Sequence, residues 1–438
     1  MRAILPFIAL ILMAFGDGRI HAQAVGLEAA PMPASAKPST GTESVNDPER
    51  VPVPVPEPSA KAIEFHRGNN LLWAVDEIWA LIVPGFIAFS GLSARIRDFS
   101  RRLGRNRFFT IGIYVVLYLI LVFLIDFPLS LYQGYYRLHA YGLSNQTFLK
   151  WLRNGLVSLG VAAIVGVCFT WVPYLLLEKS PRRWWLYTAL LIVPFLFAAM
   201  LVMPIWIAPL FNDFGPMKNK SLEQSILALA EKANIQESRV FEVNKSVDTN
   251  AVNAYVTGFL SSKRIVLWDT LIAKLGEKEL LCVMAHEMGH YVLGHVVRSI
   301  LLSSIILLIG LFLVDRMGRL LIARFIHLLR FDRLSDVASV PLLMMLIQVN
   351  SLILSPAVLA YSRYQEHEAD RYALDLTRAN HSAGMAFAKL QKENLGVPRP
   401  SWFYRIFRAT HPSIGDRIDF CNEYHPWINS QEVKSQGD

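Results

Sequence analysis

Leu280-Leu281-Cys282-Val283-Met284-Ala285-His286-Glu287-Met288-Gly289-His290-Tyr291-Val292-Leu293 reads as one buried helix, and it runs on toward an apolar stretch at 297–314. It contains H-E-x-x-H. Residues four apart share a helix face, so both imidazoles can reach one ion, with Glu287 beside them. Two histidines and a glutamate on an apolar helix are costly to bury without a partner or a metal. A surface helix bearing two histidines fits the apolar flanks poorly.

The pattern points to a zinc hydrolase, with one Zn2+ per chain. Zinc suits imidazole ligands, and it lowers the pKa of a bound water toward about 7. Glu287 would take that water's proton and pass it to a leaving amine. A third protein ligand is needed besides His286 and His290. His295 is near in sequence, but five residues along a continuous helix is about 140° around it, so it should point away and sit where the helix meets the membrane. Glu366 is the better candidate, and Glu368 competes with it. Both stand in Tyr364-Gln365-Glu366-His367-Glu368-Ala369-Asp370. Asp370, four residues after Glu366, would either orient a ligand histidine or be a solvated helix acid.

Working outward, the 438-residue chain is 53% hydrophobic and only 18% charged. An ordinary soluble domain is about 25% charged. Apolar spans near 71–92, 108–131, 154–177, 184–208, 297–314 and 337–361 account for the difference, and each approaches the length needed to cross a bilayer. Asp76 and Glu77 are read as interfacial acids at a helix end. The net charge of +8 argues for no nucleic-acid partner, because the basic residues flank the spans as positive-inside bias requires. Three cysteines without a CxxC pair argue against a disulfide framework or a cysteine metal site.

Residues 1–24 resemble an export signal: Arg2, then an apolar run, then Ala22-Gln23-Ala24. An uncleaved first helix is the alternative. Residues 25–62, rich in Pro, Ala, Ser and Glu, are expected to form a disordered tether. Membrane helices 1–4 would occupy 63–210. A zinc metallopeptidase domain would occupy 211–428, including helices 5 and 6, with a polar tail at 429–438. Within that domain Ser221 and Gln224 suggest a helix start. Residues 239–243, 253–257 and 264–268 read as strands, the second of them at an edge.

These motifs together resemble the integral-membrane zinc metalloproteases that include CAAX prenyl protease 1 and a related bacterial heat-shock membrane protease. The resemblance is carried by Ile207-Ala208-Pro209-Leu210-Phe211-Asn212, by Asn253-Ala254-Tyr255 with Gly258-Phe259 and Lys263 to Leu267, and by the zinc helix. Glu366-x-x-Ala369-Asp370, and His411-Pro412 followed by Arg417, complete it. Four spans before the catalytic part place it nearer the prenyl-protease branch. The implied fold is mostly α: a polytopic α-helical membrane protein with a gluzincin-like zinc metalloprotease domain containing a small β-sheet. The resemblance implies that Glu366 is the third ligand and that Asn253 and Tyr255 lie along a bound peptide. It further implies that His411 stabilises the oxyanion and Arg417 holds a substrate carbonyl or carboxylate. The implied activity is endopeptidase cleavage of peptide or membrane-protein substrates, serving processing or quality control.

The arginines at 95–107, Lys179 with Arg182 and Arg183, and the arginines at 316–333 would be cytoplasmic, leaving the metal helix on the periplasmic side of a bacterial inner membrane. A metal-bearing scaffold or transporter without protease activity is the competing class, and it requires that Glu287→Gln leave function intact.

Overall fold

The computed structural model describes residues 47–235, 239–257 and 264–428. The signal-like segment, the polar tail, and Gly258, Phe259 and Lys263 of the expected substrate-side strand lie outside the described residues.

The apolar spans form helices longer than the hydrophobic stretches alone. Helix α1 covers Ala60–Phe89, with Ser59 Oγ accepting from Ala62 N at 3.1 Å. The amphipathic α2 (Leu92–Leu103) follows, then α3 (Arg107–Leu131), which continues through one wide turn to Ala140. Helices α4 (Phe148–Lys179) and α5 (Trp184–Val202) complete the first half. The fourth apolar segment is bent by 47° between Trp184–Ala199 and Met203–Leu210; the other five are single helices long and apolar enough to cross a membrane. Proline inside α1, α3, α4 and α5 is tolerated because neighbouring helices in a bilayer satisfy the freed carbonyls.

The acids at the start of the first span are not at a helix end. The helix begins at Ala60, so Asp76 and Glu77 lie well inside it. Asp76 accepts from Gln133 Nε2 at 2.9 Å, and Glu77 accepts from Gln348 Nε2 at 2.6 Å. Asp126 likewise accepts from Trp79 Nε1 at 2.9 Å. Acids at this depth face protein or a hydrated cavity, where hydrogen bonds offset their desolvation.

The catalytic half holds a four-stranded sheet in the order β1-β2-β4-β3, formed by Phe214–Pro216, Arg239–Val243, Ala254–Thr257 and Arg264–Trp268 in chain order. β2 and β4 are parallel, and β1 and β3 pair antiparallel with them. The period of two puts Val240, Ala254, Val256, Ile265 and Leu267 on one face. That face packs on α6 (Lys220–Lys232) and on the metal-motif helix. Asn219, two residues before the expected Ser221, caps α6 by accepting from Leu222 N at 3.1 Å.

After the short α7 (Asp269–Lys274), α8 (Glu277–Val292) carries the zinc motif. Helices α9 (His295–Leu329) and α10 (Val340–Thr377) are the last two spans. At 38 residues, α10 is about 57 Å long against about 30 Å of hydrocarbon. The excess rises into the catalytic part. Helices α11 (Asn380–Glu393), α12 (Trp402–Phe407) and α13 (Ile414–Glu423) close the chain.

The three basic loops meet at the end opposite the catalytic half. Arg97 donates to Arg330 O at 3.2 Å and to Asp336 at 2.9 Å. Arg319 reaches Pro181 O, and Trp184 Nε1 donates to Asp315 at 2.6 Å.

The expected disordered tether is ordered over its last part. Val53 is buried among Ala383, Phe387 and Ile418, and its peptide exchanges two 2.9 Å hydrogen bonds with the Asn422 amide. Glu49 accepts from Ser382 N at 3.0 Å and from its hydroxyl at 2.8 Å, at the start of α11. Composition argued for disorder because it counts only local burial; here the partners lie more than 300 residues away.

Candidate metal centre

The faces of α8 divide the work. Leu280, Met284 and Met288 enter the sheet core. His286 and His290 turn toward α10, and both are buried. The helices cross closely because Gly289 lies between them. A Cβ there would stand 3.1 Å from Tyr372 Cδ1 and 3.3 Å from the Ala369 Cα. The backbone of α10 would have to give, since the Ala369 atom it meets is the backbone Cα. Gly289→Ala gains about 1 kcal/mol of helix propensity against about 1–3 kcal/mol of overpacking. Its thermal stability should therefore change little, while zinc affinity falls about tenfold as Glu366 is pushed off the pair. Chelator competition beside thermal unfolding checks this; unchanged zinc affinity would show that the close crossing does not set the site.

Unbroken through the bilayer end, α10 presents Glu366 and Asp370 on one face. His286 Nε2 is 3.1 Å from His290 Nε2 and 3.2 Å from Glu366 Oε2, and His290 Nε2 is 3.4 Å from Glu366 Oε1. Ligands about 2.0–2.1 Å from a tetrahedral ion lie about 3.3 Å apart, so the three atoms fit zinc. Glu366 Oε2 is buried without a hydrogen-bond partner, although Nε2 of His286 and of His411 each lie 3.2 Å away. Among the described residues this is the group of His, Cys, Asp and Glu able to hold an ion. Burial opposes charge on His286, yet the Asp370 and Glu366 carboxylates outweigh it and raise the group to about 10. The pocket favours a cation where the metal would sit. Cys282 and Cys421 offer no alternative chemistry, since burial pushes Cys282 up to about 12 and Cys421 higher still.

Around the trio, the structure redistributes the residues singled out from sequence. Asp370 Oδ1 is 2.8 Å from His286 Nδ1. Arg417, expected to hold substrate, is buried and donates to both Asp370 oxygens at 2.8 and 2.5 Å. Its guanidinium is engaged beneath His286, so it braces Asp370 and does not reach out as a free cation. Glu368 faces the other way, 3.4 Å from His295 Nε2 and 3.3 Å from Arg298. His295 does not point away. It is fully buried, and its Nδ1 lies 2.8 Å from His290 Nδ1. The expectation assumed a continuous helix, but α8 ends at Val292 and Gly294 turns the chain with φ 64°. The glycine was the signal in the sequence that could have exposed this.

A chamber of about 680 Å³ opens on the site. Glu287, Asn253 and His411 line it, and it extends past Ser303 to Gln348 and Glu77 between the spans. Thr410 Oγ1 lies 2.7 Å from His411 Nδ1. β3 is an edge strand, paired only with β4 among the described residues. Tyr255, expected along a bound peptide, sends its side chain to the opposite sheet face, against Val243 and Val266. The pleat sends it there, because its neighbours Ala254 and Val256 take the α8 face.

Residues 216–425 match the model of peptidase family M48, and residues 56–213 match that of the CAAX prenyl protease N-terminal region, described as five membrane helices. Uncharacterized metalloprotease YhfN of Bacillus subtilis (strain 168) is 36% identical over 384 residues, spanning 87% of this chain and 90% of that one. The chain belongs to peptidase family M48. CAAX prenyl protease 1 of Saccharomyces cerevisiae is 29% identical over 320 residues, covering 68% of this chain and 70% of that one. The crystal structure of S. mikatae Ste24p superposes with a TM-score of 0.69 at 23% identity, over 82% of this chain and 87% of that chain, which establishes the shared fold. This M48 protein is thus a multi-pass membrane metalloendopeptidase that uses zinc, with a helical fold around a small mixed sheet.

Proposed function

We propose that His286, His290 and Glu366 hold one zinc ion, and that Glu287 is the general base for peptide-bond hydrolysis inside the chamber. The observation that carries this is the convergence of the three ligand atoms within 4.8 Å on a chamber wall that also bears Glu287. Bound zinc supplies Lewis acidity toward water and carbonyl oxygen. Glu287 receives the proton of the attacking water and returns it to the leaving amine. His411, with Thr410 donating to its Nδ1, would keep a hydrogen on Nε2 and direct it at the developing oxyanion. Asp370 holds His286 in the tautomer whose Nε2 is free for the ion, and Arg417 holds Asp370. An extended substrate would add to the edge of β3 beside Asn253, recognised by backbone hydrogen bonds.

The substrates we infer are unfolded or membrane-associated polypeptides, and the role is their processing or clearance. Polar groups at Glu77, Gln348 and Ser303 make the chamber suited to a hydrated peptide chain. We place the enzyme in a bacterial inner membrane with the chamber on the periplasmic side. The gathering of the basic loops at the far end supports this. So does the docking of residues 49–53 on the catalytic half, which puts the chain before α1 on the catalytic side.

Cleavage of an unfolded test peptide by purified protein, abolished by chelation and restored by zinc, tests the activity. An alkaline phosphatase reporter fused after Asp438 should be active, since it folds in the periplasm; an inactive fusion beside an active cytoplasmic reporter would overturn the placement.

A further inference from the structure

Helix α8 ends at Val292 and α9 begins at His295. Gly294 between them has φ 64°, and nothing stands within 4 Å of where its Cβ would be. Glycine is therefore needed for backbone conformation and not for space. The left-handed residue turns the chain so that His295 comes back over His290. The His295 peptide is pinned there: its carbonyl accepts from Gln365 Nε2 at 2.9 Å, and Gln365 Oε1 accepts from Ser299 Oγ at 2.8 Å. The two imidazoles meet through their Nδ1 atoms, 2.8 Å apart. On the far side, His295 Nε2 faces Glu368 Oε2 at 3.4 Å, and Arg298 steadies that carboxylate at 3.3 Å.

Hydrogen-bond chemistry gives this chain one direction. A neutral His290 that offers its Nε2 lone pair to a metal carries its hydrogen on Nδ1. That hydrogen needs an acceptor, and His295 Nδ1 is the atom within reach. His295 must then carry its own hydrogen on Nε2, the nitrogen that faces the Glu368 carboxylate. This arrangement satisfies the buried Nδ1–Nδ1 pair, where a mismatch is expensive, and turns the His295 Nε2 hydrogen toward the Glu368 carboxylate 3.4 Å away without completing a hydrogen bond to it.

We propose that His295, with the Glu368 carboxylate beside its outer nitrogen, is a positioning residue for His290: it accepts the Nδ1 hydrogen and holds the ring with Nε2 aimed at the metal. Asp370 performs the corresponding task for His286. The two ligand histidines are thus oriented by different chemistry, one by a carboxylate directly and the other through an intervening imidazole. This inference rests on the zinc reading above.

The test is zinc affinity of the full-length protein by competition with a chromophoric chelator, with the unfolding midpoint of the metal-free form recorded beside it. Wild type and His290→Ala come first; if wild type binds no zinc, or His290→Ala binds it equally, the zinc reading itself fails. With that reading upheld, His295→Ala should bind zinc about 10–100-fold more weakly, the range for losing a hydrogen-bond partner of a ligand. His295→Asn places an amide oxygen where Nδ1 was and should stay within about threefold of wild type. Glu368→Ala, at a partly exposed residue whose loss does not threaten folding, should cost a few-fold. Equal affinity in wild type, His295→Ala and His295→Asn would overturn the proposal, as would equal losses in the two variants. Should His295→Ala not fold, unchanged affinity in Glu368→Ala overturns it.

Discussion

Glu287→Gln should lower kcat about 10³-fold while leaving zinc content within about twofold of wild type. General bases contribute about 10²–10⁴ in rate, and glutamine keeps the size and polarity of the side chain but cannot take a proton. Glu287 lines the chamber beside the ligand trio without being one of the three converging donors. Metal binding and turnover should therefore separate at this residue. The measurement pairs peptide-cleavage kinetics with zinc analysis of the same preparation. Cleavage that survives both the substitution and chelation would sink the zinc mechanism and favour a metal-bearing scaffold with a contaminating protease.

Glu366→Ala should do the reverse, removing zinc and with it all activity. Zinc held by protein ligands is worth about 10–16 kcal/mol in small domains. One ligand of three then carries about 3–5 kcal/mol, or about 10²–10⁴ in affinity. The fold should survive, because the substitution removes a buried carboxylate that has an unpartnered oxygen and α10 is held along its whole length by other packing. Chelator competition reads the affinity, and circular dichroism reads the helix content. If Glu368→Ala, and not Glu366→Ala, released the metal, the ligand set would be wrong.

The two variants also separate the readings that compete for this protein. An enzyme loses function in both, by chemistry in one and by metal loss in the other. A scaffold that needs only bound metal keeps its function in Glu287→Gln and loses it in Glu366→Ala.

Much of this architecture follows from local patterns. The apolar spans are legible because a bilayer demands about 20 apolar residues in a row whatever the neighbours do. The strands at 239–243 and 264–268 appear where β-formers cluster, and the sheet places them side by side in parallel. His286 and His290 are paired by helical spacing alone, which needs no knowledge of the rest of the fold.

Most of the expectations that failed were overturned by contacts with residues distant in the chain. The 25–62 segment reads as disordered until Val53 meets Asn422, Ala383 and Phe387. Asp76 and Glu77 read as interfacial until Gln133 and Gln348, from other helices, supply their hydrogen bonds. Arg417 looks like a free cation until Asp370 engages it, and Tyr255 looks like a contact for substrate until the pleat turns it to the far face.

What the sequence alone determined, then, is the class of protein and the two histidines with their glutamate, because periodicity and span length are properties of consecutive residues. Only the tertiary structure decided which acid of α10 meets the pair, since Glu366 and Glu368 differ by 200° around the same helix and nothing local says which side faces α8. It also decided the fate of the helix itself. The stretch from Leu280 onward reads as one rod entering the membrane, but one left-handed glycine breaks it and returns His295 to the site that a straight helix would have carried it past.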